Sequence, residues 1–73
     1  MGKVELQKQI RAVANEATVL GGCLVVACPD GGCDFIEPET VQLCSEYVEA
    51  HDLDGTMVQI PYGLIAGVTV DLS

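Results

Sequence analysis

Basic residues are the scarcest chemistry in this chain: Lys3, Lys8 and Arg11 are all it has, and none occurs after position 11. Ten of the eleven acids lie beyond that point, and the formal net charge is −8. A surface of this sign repels a phosphate backbone, so no direct nucleic-acid partner is expected. No apolar run approaches the roughly eighteen residues of a membrane-spanning helix, and the N-terminus lacks the basic-then-apolar layout of a secretory signal. No membrane partner is expected, and the expected address is the cytoplasm. Tryptophan is absent and only Phe35, Tyr47 and Tyr62 are aromatic, so the core has to be aliphatic.

Catalytic and metal-binding motifs are equally sparse. Cys23, Cys28, Cys33, Cys44 and the single His51 make no C-x-x-C and no H-x-x-x-H pair, the spacings that bring two zinc ligands together. On a helix Cys44 and His51 would stand roughly 10 Å apart along the axis, too far to share one ion. The stretch "PDGGC" has no following Lys or Ser/Thr to hold a nucleotide phosphate. "DLDGT" begins like a calcium loop, but Met57 falls where the loop needs glycine and Gly63 where it needs a bidentate glutamate. A Cys–His nucleophile pair would need His51 to meet Cys23, Cys28 or Cys33, which no spacing shows. The chain is therefore expected to be no enzyme, with no catalytic residue, no metal ligand and no cofactor.

What the chain does have is apolar residues, 49% of 73. That length makes one domain over residues 1–73, with a folded surface of roughly 4,300 Å² by area scaling. A core of this size is marginal by itself, and the usual remedies are a disulfide, a metal or a partner chain. The hydrophobic content exceeds what so small a body hides, which favours a partner chain and predicts a homo-oligomer, a dimer.

Periodicity supplies the elements. Leu6, Ile10, Val13, Ala17 and Leu20 fall on one stripe of a helix over about 3–19, ended by Gly21 and Gly22. "CLVVAC" is β-branched and apolar, and Pro29-Asp30-Gly31-Gly32 is turn chemistry, so a hairpin is predicted over about 23–36. Pro38 suits the first position of a second helix, with Ile36 stapled against Val41. On its wheel Val41, Leu43, Cys44, Tyr47, Val48 and Ala50 make a dry half, with Glu39, Glu46, Glu49 and Asp52 among the wet residues, and His51 sits in the last turn, where the helix dipole favours its charge. "TMVQI" and "LIAGVTVDL" read as two last strands joined by a turn at "PYG". In the final strand Leu64, Ala66, Val68, Val70 and Leu72 point one way, and Ile65, Gly67, Thr69 and Asp71 the other.

The order is αββαββ, in two αββ halves over about 3–36 and 38–72. At an offset of 33, Glu16, Ala17, Leu20, Gly22 and Val25 match Glu49, Ala50, Leu53, Gly55 and Val58, so Gly22 and Gly55 are read as ending equivalent helices. A double glycine also ends some leader peptides, but Lys8 and Arg11 stand where such leaders carry hydrophobic residues. The expected fold is α+β: a two-layer sandwich with two helices on one face of a four-stranded, mainly antiparallel sheet, a permuted ferredoxin-like order. Its open face, with Val25, Ala27 and Ile65, is the expected dimer surface.

Two functional readings follow. In the first, Asp30, Asp34, Glu37, Glu39, Glu46, Glu49, Asp52 and Asp54 form an acidic surface that binds a basic surface on a partner protein. The module is then a regulator or inhibitor, in its sharpest form one that mimics nucleic acid. In the second, the cysteines act: Cys28 and Cys33 flank the hairpin turn at disulfide reach and cycle a disulfide or hold a soft metal. Buried cysteines serving as small hydrophobes are the plain alternative.

Overall fold

The computed structural model describes residues 2–72. The first element is the predicted one, a helix over Lys3–Leu20 (α1). Its buried stripe is Leu6, Ile10, Ala14 and Ala17, spaced by four, four and three as one helix face requires. Val13 is only partly buried and Leu20 is 52% exposed, so the dry face drifts off the predicted line in the last turn. Gly21 ends the helix at φ +73, its N–H reaching the Thr18 carbonyl while that of Gly22 reaches Ala17. This is the left-handed cap for which glycine has no steric cost.

The predicted hairpin also forms, from β1 (Cys23–Ala27) and β2 (Cys33–Ile36), antiparallel with Val25 opposite Phe35 and Ala27 opposite Cys33. The Gly31 N–H closes a turn onto the Cys28 carbonyl, with Pro29 and Asp30 in its corners and Gly31 at φ +95. The Asp30 side chain accepts the Gly32 N–H at 2.9 Å.

Beyond Ile36 the structure departs from the expected second helix. Pro38 opens a helical turn, but a single 3-10 turn, Pro38–Thr40, which ends because Val41 is extended at φ −66, ψ 127. Two short strands replace the rest: β3 (Gln42–Leu43) and β4 (Tyr47–His51). The cause is visible in β4, where Val48 and Ala50 are buried and Tyr47, Glu49 and His51 are not. That is a period of two, the mark of a half-covered strand. Val41, Cys44 and Val48 happen also to fit helical spacing, which made the helix reading self-consistent.

The last two strands form, as β5 (Met57–Pro61) and β6 (Gly67–Asp71), but they do not pair with each other. β5 lies against β4, and a 3-10 turn, Tyr62–Leu64, then carries the chain across to place β6 against β1. The result is α+β with one helix and two three-stranded antiparallel sheets, β2-β1-β6 and β3-β4-β5. The expected single sheet under two helices is not formed, nor is the permuted ferredoxin-like layout. Gly55 ends no helix; at φ +87 it turns the chain between β4 and β5. The two sheets touch at one corner, where Ile36 bridges to Asp52 and the Glu37 N–H donates to the His51 carbonyl at 2.9 Å.

One aliphatic interior serves both sheets and the helix. Leu6, Ile10 and Ala14 of α1 meet Leu24 and Val26 of β1, Ile36 of β2, Val48 and Ala50 of β4, and Ile60 of β5. Ile36 and Val41 both enter it, although the second helix whose start they were expected to staple does not form. Ile65 is core as well, not part of an open sheet face; Leu64 is exposed, and the predicted alternation holds only from Gly67 onward. The accessible surface, 4328 Å², is that of a compact chain of this mass. Large apolar side chains nevertheless stay outside, among them Val4, Phe35, Leu53 and Met57.

Candidate functional site

The acids read from the sequence do not share one helix face. Asp30 lies in the β1–β2 turn and Asp34 in β2, Glu37 and Glu39 flank and enter the first 3-10 turn, and Glu46 lies between β3 and β4. Glu49 is in β4, Asp52 follows it, and Asp54 is in the turn before β5. They are distributed over the strand half of the molecule, whereas all three bases stand on α1.

Strand pairing gathers some of them. Glu49 lies opposite Gln42 on one side and Gln59 on the other, and His51 lies opposite Met57. These residues share the outer face of β3-β4-β5, because directly paired residues project to the same side. The first 3-10 turn closes one end, so that Glu39, Thr40, Glu49, His51 and Met57 edge a cleft of about 390 Å³ with Val41 and Ala50 in its lining. Thr40 is the positioning residue here: its hydroxyl donates to the Glu37 carbonyl at 2.8 Å and accepts the His51 N–H at 2.9 Å. This holds the 3-10 turn, and with it Glu39, against the end of β4. Glu46 lies outside the cleft.

A second acidic depression, about 370 Å³, lies where β2 meets the β4–β5 turn, lined by Cys33, Asp34, Phe35, Asp52, Leu53 and Asp54. Its floor is braced by the Asp52 carboxylate, which accepts the N–H groups of Asp54 at 3.0 Å and Thr56 at 2.9 Å. Sequence reading missed Thr40, Met57, Phe35 and Leu53. The only signal for Phe35, Leu53 and Met57 was that each is a large apolar residue, and only the fold shows that they are exposed.

The bases are elsewhere. The Lys3 ammonium donates to the Ser45 carbonyl at 3.0 Å, while Lys8 and Arg11 edge a groove between α1 and Leu43 of β3. Near it, the Gln7 amide and the Tyr62 hydroxyl converge on the Cys44 carbonyl, tying helix, strand turn and 3-10 turn together.

All four cysteines are free thiols. Cys33 is opposite Ala27, with Cys28 beyond the end of β1, so the two flank the turn without being directly opposed. Burial, then Asp34, Asp30 and Cys33 in that order, push the Cys28 thiol above its ordinary 9.0. Burial followed by Asp71 does the same to Cys23. Cys44 is the main cause of a raised Tyr47 hydroxyl. Thiols held protonated are poor nucleophiles and poor metal ligands. Among the described residues no three His, Cys, Asp or Glu side chains gather as a metal site, and no helix is long and apolar enough to cross a membrane. Comparison of the chain with protein-family models, with curated proteins and with solved structures returns no match.

Proposed function

We propose that this protein is a small non-enzymatic interaction module whose acidic strand half holds a basic surface of a partner protein, acting as a regulator or inhibitor of that partner. The observation that carries this reading is the cleft on the outer face of β3-β4-β5, where Glu39 and Glu49 stand with the exposed Met57 in a mixed lining and no lysine or arginine among the residues around it. A carboxylate pair beside apolar carbon suits a lysine or arginine side chain, whose stem packs on carbon while its head meets the charge. The remaining acids of the set, Asp30, Asp34, Glu37, Glu46, Asp52 and Asp54, extend the field that steers such a partner to the face.

The test uses a labelled arginine-rich peptide as probe, titrated with the wild-type chain and with E39Q/E49Q at low and high salt. Binding that weakens about tenfold or more in the double variant, and that fades as salt is raised, supports the reading. Equal affinity in wild type and variant refutes it, as does binding that is indifferent to salt.

A further inference from the structure

We infer that the chain assembles head to tail with further copies of itself, the groove on α1 of one copy receiving the acidic, aromatic patch around Phe35 of the next. The groove, about 570 Å³, has Val4, Ala12 and Leu43 as its apolar lining and Lys8 and Arg11 on its edges. Val4 is 59% exposed there. The residues four positions away on the helix are Val4 and Ala12 for Lys8, and Gln7 and Asn15 for Arg11; at the spacings that pair charges on a helix, Arg11 meets no acid and Lys8 meets only Glu5, three residues before it. Among the described residues neither forms an ion pair.

The complementary surface is the depression at the sheet corner. Phe35 and Leu53 are 43% and 53% exposed, and Asp34, Asp52 and Asp54 stand beside them with no cation in the lining. Each surface therefore carries apolar area together with charge of one sign, and the signs are opposite. The two share no residue. Phe35 projects from the outer face of β2-β1-β6, on the side of Val25, and Asp34, paired with Val26, borders the depression from the other side of the edge strand β2, whereas the groove is formed by α1 and Leu43. A chain thus cannot satisfy its own groove with its own patch, but a second copy can.

Joining unlike surfaces is a heterologous contact, which leaves one groove and one patch free at each end and continues to a ring or an open chain. The contact does not use the cleft at Glu39 and Glu49, so assembly and partner binding fail independently.

The experiment is sedimentation velocity with light scattering on the wild-type chain, on K8E/R11E, on D34K/D54K and on a 1:1 mixture of the two variants, each checked for fold by circular dichroism. Wild type is expected to be oligomeric, and each variant alone to lose association by about tenfold or more. The mixture is expected to regain it, because each reversed surface then meets its opposite. If reversal disturbs the helix, K8Q/R11Q gives the same readout with a milder change. Three results overturn the inference: a monomeric wild type at every concentration, folded K8E/R11E at wild-type mass, which points to a two-fold dimer through another face, or a mixture that stays monomeric.

Discussion

Removing one hydroxyl, by Tyr62→Phe, tests how the helix is fastened to the second sheet. The Tyr62 hydroxyl donates to the Cys44 carbonyl at 2.6 Å and accepts from the Gln7 amide at 3.1 Å, and Gln7 donates to the same carbonyl at 3.3 Å. The substitution deletes two of the three contacts, yet the Cys44 carbonyl and the Gln7 amide still have each other, so no buried group is orphaned. The cost is then the net worth of one to two ordinary hydrogen bonds, about 1–2 kcal/mol, without the further desolvation penalty of an unpaired partner. In a domain this small each kcal/mol moves Tm by about 4–8 °C, so thermal unfolding followed by circular dichroism should show a fall of roughly 5–15 °C. Gln7→Ala alone also leaves one bond to the carbonyl. Only the double variant strands Cys44, so its loss should exceed the sum of the single losses by about 0.5 kcal/mol or more. A Tyr62→Phe variant as stable as wild type refutes the argument. Strict additivity in the cycle refutes it as well.

Two further outcomes follow from the packing. A Cβ on Gly22 would be driven into the Asp71 carbonyl and to 2.8 Å from Leu72 Cδ2, so Gly22→Ala should push β6 from β1 and cost about 1–3 kcal/mol, read as a lowered urea midpoint; an unchanged midpoint would mean that the strand gives way freely. Stability should also decline as pH rises above about 9.0, the ordinary thiol value from which Cys23 is raised by burial and then by Asp71. The unfolded chain sheds that proton first, so it binds fewer protons than the folded chain and the slope of stability against pH is negative through that window. Chemical denaturation across pH 8 to 10.5 should show a shallower decline in Cys23→Ala, and an equal slope in both proteins refutes the assignment.

Which parts of this fold the sequence disclosed depended on how local their causes were. α1 rests on one stripe and a glycine cap, and the β1–β2 hairpin on turn chemistry within five residues; both are written in consecutive positions. Residues 41–51 are ambiguous because Val41, Cys44 and Val48 satisfy a helical period while Tyr47 to His51 alternate strictly, and burial on the far side of a second sheet decides between them. The pairing of β6 with β1 joins Cys23 to Asp71, and no local feature distinguishes it from a hairpin with β5. The site shows the same division. The acids were legible as composition, but Glu39 and Glu49 face one cleft only because the 3-10 turn and β4 come together at Thr40.

The placement of the bases argues that they serve contact with another surface more than the stability of their own helix. A helix gains from cations in its last turn, where the carbonyl end of its dipole lies, and the last turn of α1 contains none. Lys8 and Arg11 sit mid-helix, without an acid four residues away, on the edges of a groove whose lining is apolar. The one acid at helical pairing distance is Glu5, three residues before Lys8, an exposed spacing worth a few tenths of a kcal/mol at most, so intrachain electrostatics gives little for these two charges. In K8E/R11E the local fold has correspondingly little to lose, so that loss of assembly there separates cleanly from loss of structure. That separation makes the head-to-tail contact testable.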